Sequence, residues 1–276
     1  MVSIRNELRE YGISPRKRLG QHFLIDRNIL NKIIQVARVG EEDVVLEVGP
    51  GLGEMTLALA HRVKRVIAVE IDPRLTAILE KKTEDYPNVE VVRGDILKLD
   101  FIHFFKKRGE RIKVVANLPY QISTPLLFRF IESREVFLTL TLMLQREVAE
   151  RMVAPPGRKE YSPLSIFTQM FSEISIRFFI KPSAFFPPPK VESAVVDVVW
   201  KEKPLIEKDD EAWFKKVVKA CFGYRRKTLI NALKHSELTL PESIELEMEG
   251  IGIDPRRRSE TLTIQEVIRL AKLLKL

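Results

Sequence analysis

Cysteine is nearly absent from this sequence, histidine is scarce, and long apolar runs are missing altogether. Its 276 residues include one cysteine and four histidines. Cys221 excludes an internal disulfide; among apolar and aromatic neighbours it reads as packed rather than reactive, and a reducing compartment fits. His22 has no cysteine or second histidine near it in the sequence, so metal-ligand spacing is lacking and no metal is expected. No run approaches the ~18 apolar residues of a membrane span. The polar, charged start carries no apolar signal-peptide core. Internal repeats and low-complexity tracts are also missing. The expectation is a soluble cytoplasmic protein, one large domain or a large one plus a small one, able to bury a core without staples.

Positive charge is what the sequence has in excess, with a formal net charge of +8. An anionic partner and a solvated basic surface both account for that figure. The basic residues cluster. Arg5, Arg9, Arg16, Lys17 and Arg18 make residues 1–18 read as a basic arm, while Arg225-Arg226-Lys227 and Arg256-Arg257-Arg258 flank short turns near the other end.

Four apolar runs each end in a polar or glycine-rich group. Val44-Val45-Leu46-Glu47-Val48 reads as a buried strand running into Gly49-Pro50-Gly51-Leu52-Gly53, with a helix from about Glu54 to His61. Strand, glycine turn and helix begin a dinucleotide-type βαβ unit, in which glycine lets the backbone approach a ligand. Glu54 stands where the usual third glycine would be, which is awkward beside a pyrophosphate but tolerable beside a zwitterionic amino-acid tail. Val66–Val69 ends on Glu70, placed to take two ribose hydroxyls. Asp72-Pro73 then opens a helix, as does Asp26 earlier, each aspartate a cap. Val89–Val92 leads to Gly94-Asp95-Ile96, where Asp95 suits an adenine amine and Ile96 a ring face.

The fourth run, Val114-Val115-Ala116, stops at Asn117-Leu118-Pro119-Tyr120. Pro119 cannot continue the ladder and biases Leu118 to an extended conformation. The strand end should therefore present the Asn117 amide, the Leu118 carbonyl and the Tyr120 ring together. That set suits a planar base whose exocyclic amine donates to two oxygens while its face stacks. The following helix starts at Ser123-Thr124-Pro125, again a cap and an early proline. Further strands are expected at Phe137–Leu144, Ile174–Ile180 and Ala194–Trp200. Between the last two, three prolines stiffen Lys181–Lys190; this loop either holds Phe185 or Phe186 against a base or is a rigid connector burying its aromatics. Residues 201–208 read as a linker, and helical patterns recur beyond it.

Together these stretches resemble the small-subunit rRNA adenine dimethyltransferases, from about Arg16 to the C-terminus. The motifs carrying the likeness are Gly20-Gln21-His22-Phe23-Leu24, Glu47 through Gly53, Glu70 and Gly94-Asp95. Asn117-Leu118-Pro119-Tyr120-Gln121-Ile122-Ser123-Thr124-Pro125 and Ser183 through Val191 complete them. His22 departs from the family, which commonly has asparagine there. The resemblance implies an α/β fold, a Rossmann-like seven-stranded methyltransferase sheet with one antiparallel strand. Residues 1–200 would form that domain and residues 201–276 a small helical, basic, RNA-binding one.

The resemblance further implies S-adenosylmethionine as methyl donor, with His22 and Leu24 at its methionine end. Gly49 and Gly51 would lie in the turn under it, Glu70 on the ribose, Asp95 and Ile96 at the adenine, and Asn117 near the sulfonium. Tyr120 and Phe185 would bracket the target adenine, with Asn117 and Leu118 holding its amine. Arg16, Lys17, Arg18, Arg225, Arg226 and Lys227 would hold RNA phosphates. The implied substrate is a pair of adjacent adenosines near the 3′ end of small-subunit rRNA, in the small ribosomal subunit or its precursor; the sequence itself is silent on oligomeric state, and a monomer is the default expectation. Three other readings stay in view: a large-subunit rRNA adenine methyltransferase, a non-catalytic RNA-binding assembly factor on the same fold, and a nicotinamide dehydrogenase. The last is disfavoured by the missing third glycine.

Overall fold

The computed structural model describes residues 4–106, 111–224 and 226–275. Arg225, expected above to meet RNA, lies outside the described residues. Nine strands occur among them: β1 (Phe23–Leu24), β2 (Val44–Val48), β3 (Arg65–Glu70), β4 (Val89–Arg93), β5 (Ile112–Asn117), β6 (Phe137–Gln145), β7 (Ser172–Ile180), β8 (Phe185–Phe186) and β9 (Ser193–Trp200). Seven form one sheet in the order β4-β3-β2-β5-β6-β9-β7. The pairs β3–β4, β2–β3, β2–β5 and β5–β6 are parallel, and β9 runs antiparallel to β6. β2 is buried at all five positions, as a strand covered on both faces by helices must be. β7, at the end of the order, instead alternates exposed and half-buried residues over most of its length.

The helices start where the sequence places their caps. Asp26 accepts from the backbone N–H groups of Asn28 and Ile29 at the head of the helix Arg27–Ala37. Asp72 accepts from Arg74 N ahead of the helix Pro73–Lys82. Ser123 differs: the helix Ser123–Glu132 already includes it, and its hydroxyl donates back to the Tyr120 carbonyl at 3.0 Å. That bond ties the turn after β5 to the helix instead of capping it.

The first eighteen residues are more than a basic arm. Ile4–Glu10 is a helix whose Leu8 is 2% exposed, and Leu8 and Ile13 pack with Phe23, Leu52, Leu75 and Ile78. Two apolar side chains without helical spacing suffice because the neighbours they cover come from elsewhere in the chain.

Two compact units divide the chain: Met1–Ala149 with Glu173–Trp200, and Glu150–Ser172 with Lys201–Leu276. A single cut after residue 200 therefore leaves Glu150–Ser172 on the wrong side. The reason is apolar burial in the helix Pro163–Phe171, which packs Phe167 edge-on against Phe214, while Tyr161 meets Phe222. The rest of this unit is helical, including Glu211–Phe222, Leu229–Lys234, Ile244–Gly250 and Ile264–Leu273. Cys221 is fully buried there, and burial pushes its thiol up to about 12, so it is packed and unreactive.

Candidate active site

In a parallel sheet the strands' carboxyl ends lie along one rim. Here that rim brings Gly49 and Gly51 after β2, Glu70 at the end of β3, Asp95 and Ile96 after β4, and Asn117, Leu118 and Tyr120 at β5 into one cavity. His22, Leu24 and Arg18 from the N-terminal segment line it as well.

The glycine turn is shaped by contacts that a side chain would spoil. Gly51 has φ +63°, and a Cβ there would sit 3.1 Å from the Phe23 ring. Gly53 has φ +85°, and a Cβ would come within 2.4 Å of Leu79. The Gly51 N–H donates to Glu70 Oε2 at 3.2 Å, and the Asp72 N–H donates to Oε1 at 2.8 Å. Burial raises the Glu70 pKa, and these backbone donors work against the rise. A carboxylate accepts up to about four hydrogen bonds, so Glu70 stays fixed in place and keeps capacity for hydroxyl donors. Asp95 accepts from Leu97 N through Oδ1, and Ile96 is buried beside it.

At the end of β5, the Asn117 Nδ2 donates to the His22 carbonyl at 3.1 Å. That commits the amide nitrogen and leaves Oδ1 as an acceptor. Leu118 N donates to the Met143 carbonyl of β6 at 2.9 Å, which fixes its own peptide, and among the described residues nothing donates to its carbonyl oxygen. The Tyr120 hydroxyl pairs with Ser193 Oγ at 2.7 Å, and its ring stacks on His22 with centroids 5.5 Å apart. His22 Nδ1 lies 2.7 Å from the Pro187 carbonyl, so this nitrogen carries the proton. Two oxygen acceptors and an aromatic face thus stand together.

Phe185 does not join them. It is 1% exposed and packs in the core with residues such as Val45, Leu30 and Val195. The pairing of β1 with β8 sets Leu24 opposite Phe185 and Phe23 opposite Phe186. Neighbours along a strand point to opposite faces, so one ring of the pair is buried, and Phe186 is the partly exposed one, with the Arg5 guanidinium over it.

Among the cations, Arg16 lies 3.5 Å from Asp72, and Gln21 donates to the same carboxylate while accepting from Arg16 N. Lys17 and Arg18 are exposed in this unit, and Arg226 and Lys227 are exposed in the smaller one.

One residue of the cavity opens a motif quoted above but was given no role there. Glu47, the last residue but one of β2, is 2% exposed and accepts from Thr56 Oγ1 at 2.6 Å. Burial pushes its carboxyl up to about 8, the Thr56 hydrogen bond opposes the rise, and Glu70 adds to it. An acid inside an otherwise apolar strand was the available signal. Among the described residues no group of three or more histidines, cysteines or acids could hold a metal ion.

Residues 12–276 match the family described as ribosomal RNA adenine dimethylase. The chain is 45% identical over 267 residues to the ribosomal RNA small subunit methyltransferase A of Geobacter metallireducens, covering 96% of this chain and 97% of that one. Among solved structures it is similar to a dimethyladenosine transferase from Plasmodium falciparum, with 33% identity, a TM-score of 0.74, and 90% and 96% of the two chains covered. It is also similar to the 23S rRNA methyltransferase ErmE, with 26% identity, a TM-score of 0.70, and 92% and 100% covered.

Proposed function

This chain belongs to the ribosomal RNA adenine dimethylase family, and from that premise we propose how its cavity dimethylates adenine in small-subunit rRNA with S-adenosylmethionine as methyl donor. The observation that carries the reading is the commitment of the Asn117 amide nitrogen to the His22 carbonyl. It leaves two oxygens, Asn117 Oδ1 and the Leu118 carbonyl, beside the Tyr120 ring.

The residues of the cavity fit the methyl donor. Glu70 takes ribose hydroxyls, Asp95 the adenine amine and Ile96 the ring face, while Gly49, Gly51, His22 and Leu24 border the methionine end. When bound, S-adenosylmethionine supplies an electrophilic methyl group and a neutral thioether leaving group. The chain's own task is positioning and electrostatics. The exocyclic amine of adenine is a poor nucleophile because its lone pair is delocalised into the ring. Asn117 Oδ1 and the Leu118 carbonyl accept its two N–H groups, favour pyramidal geometry and aim the lone pair. The Tyr120 ring stacks on the extruded base, worth about 1–3 kcal/mol, and Ser193 holds its hydroxyl. The methylated amine is acidic and sheds its proton to solvent. One N–H then remains, so in a second transfer the amine is held through one of the two acceptors, with the first methyl taking the place of the other N–H.

The proposed targets are two adjacent adenosines near the 3′ end, met in the small ribosomal subunit or its precursor in the cytoplasm. The enzyme is proposed to act as a monomer. Lys17, Arg18, Arg226 and Lys227, exposed and basic, hold phosphates in this reading. No helix among the described residues is long and apolar enough to cross a membrane.

The test is methyl transfer from labelled S-adenosylmethionine to small ribosomal subunits lacking the modification, with large subunits in parallel. Dimethyladenosine in small-subunit rRNA alone is the expected result. Label on the large subunit, or tight binding without transfer, would overturn it.

A further inference from the structure

Phe179 is the one exposed phenylalanine among the described residues, with about half of it open to solvent, at 48% exposure. It lies on β7, which ends the seven-stranded sheet, at one of the positions of that strand that alternate toward solvent. Its ring is not bare: the Arg146 guanidinium lies over it, 4.7 Å from the centroid. Arg146 is held in turn by Glu192, through a 2.8 Å ion pair and a backbone hydrogen bond of 2.9 Å.

That assembly is joined directly to the strand end that carries Tyr120. Gln145 pairs with Ser193 in the β6–β9 ladder, and Ser193 Oγ meets the Tyr120 hydroxyl. One residue further on, Arg146 N donates to the Glu192 carbonyl, and the Arg146 guanidinium reaches Phe179 on β7. Along the rim, strands β4, β3 and β2 serve the cofactor half of the cavity and β5 presents the amine acceptors. The remaining strands, β6, β9 and β7, lead from Tyr120 to Phe179. Beside Phe179 a surface groove is lined by Arg27, Lys32 and Lys181, with Asp26 among them.

We propose that Phe179, with Arg146 on its ring, is a stacking platform for an unpaired nucleotide flanking the target adenosine. The proposal rests on the RNA methyltransferase reading above. An extruded base leaves its neighbours unstacked, and they need a new surface. An aromatic face backed by a guanidinium takes any base without reading its sequence. The cations of the groove suit the phosphates on either side of that base. The platform thus extends the substrate contact along the rim, away from the cofactor, and acts on RNA affinity rather than on the transfer.

The test compares Phe179→Ala, Phe179→Leu and Phe179→Trp with the wild type, using small ribosomal subunits that lack the modification. The platform predicts that Ala and Leu both raise KM for the subunits about tenfold, with kcat and KM for S-adenosylmethionine within twofold of wild type. Trp restores the subunit KM. A half-exposed ring leaves folding intact, which melting temperatures check, and Leu keeps the apolar bulk if Ala does not. An unchanged KM in Ala overturns the platform while wild-type transfer upholds the reading beneath it. A wild-type KM in Leu overturns it too, since apolar area and not stacking would then suffice. Absence of transfer by the wild type itself fails the reading, and the platform with it.

Discussion

The Asn117 carboxamide donates to the backbone carbonyl of His22, joining the end of β5 to the N-terminal segment that covers the cavity. The bond uses main chain on one side and a side chain on the other, so the two residues respond differently to substitution. It fixes which atom of the amide is left free to face the cavity.

Asn117→Ala should therefore lower kcat by about 10²–10³-fold, the usual loss when a positioned polar group in a site is removed. Cofactor affinity should fall far less. His22→Asn keeps the carbonyl and should leave kcat within about fivefold, a small loss reflecting the ring contact with Tyr120. Single-turnover methyl transfer on unmodified small subunits separates the two outcomes.

Tyr120 has two attachments, a ring stacked on His22 and a hydroxyl on Ser193. Tyr120→Phe keeps the ring and should cost about threefold in kcat/KM. Tyr120→Ala removes the stacking surface, and a loss of about 1–3 kcal/mol corresponds to roughly fivefold to 150-fold. Equal activity in all three proteins would remove stacking from the mechanism.

Glu47 should make cofactor binding proton-linked. Its folded pKa is raised to about 8, so at pH 7 the carboxyl is mostly protonated in the empty cavity. A cationic ligand favours the ionised form. Binding of S-adenosylmethionine near pH 7 should thus release a proton, seen as a binding enthalpy that depends on the buffer's ionisation enthalpy. Glu47→Gln should abolish that dependence. In the unliganded protein the raised pKa also means that stability falls as pH rises from about 4.5 through about 8, a slope the same variant should flatten.

Asp72 titrates in the opposite sense. Hydrogen bonds from Arg74, then Gln21, hold its carboxyl at about 2 against an ordinary 3.8, although burial works the other way. A depressed carboxyl stabilises the fold above its unfolded pKa and loses that contribution as pH falls. The shift corresponds to about 2 kcal/mol. Denaturation of Asp72→Asn should show that deficit at pH 7 and little difference from wild type near pH 2.

Much of this site was legible because its signals are local. A proline after a β-branched run stops β5 where Asn117 and Tyr120 emerge, and the glycine turn and Glu70 follow their own strands directly. Phe185 was not legible. Which of two adjacent rings enters the core depends on the register of β8 against β1, and that register joins residues far apart in sequence. The same holds for Leu8 and Ile13, whose partners lie on other elements, and for Glu150–Ser172. The allegiance of that last segment shows only where Phe167 meets Phe214. Arg16 belongs with them: its basic character was plain, but its neighbour Asp72 was not.

The chain crosses between its compact units after Ala149, after Ser172 and after Trp200. The smaller unit is therefore no detachable tail. A protein truncated at Trp200 would retain the helix Pro163–Phe171 while losing Phe214, turning buried Phe167 and its neighbours toward water and inviting aggregation. Residues 201–276 grafted onto another enzyme would arrive without that helix. Moving the unit intact into another chain therefore means carrying both of its segments at once.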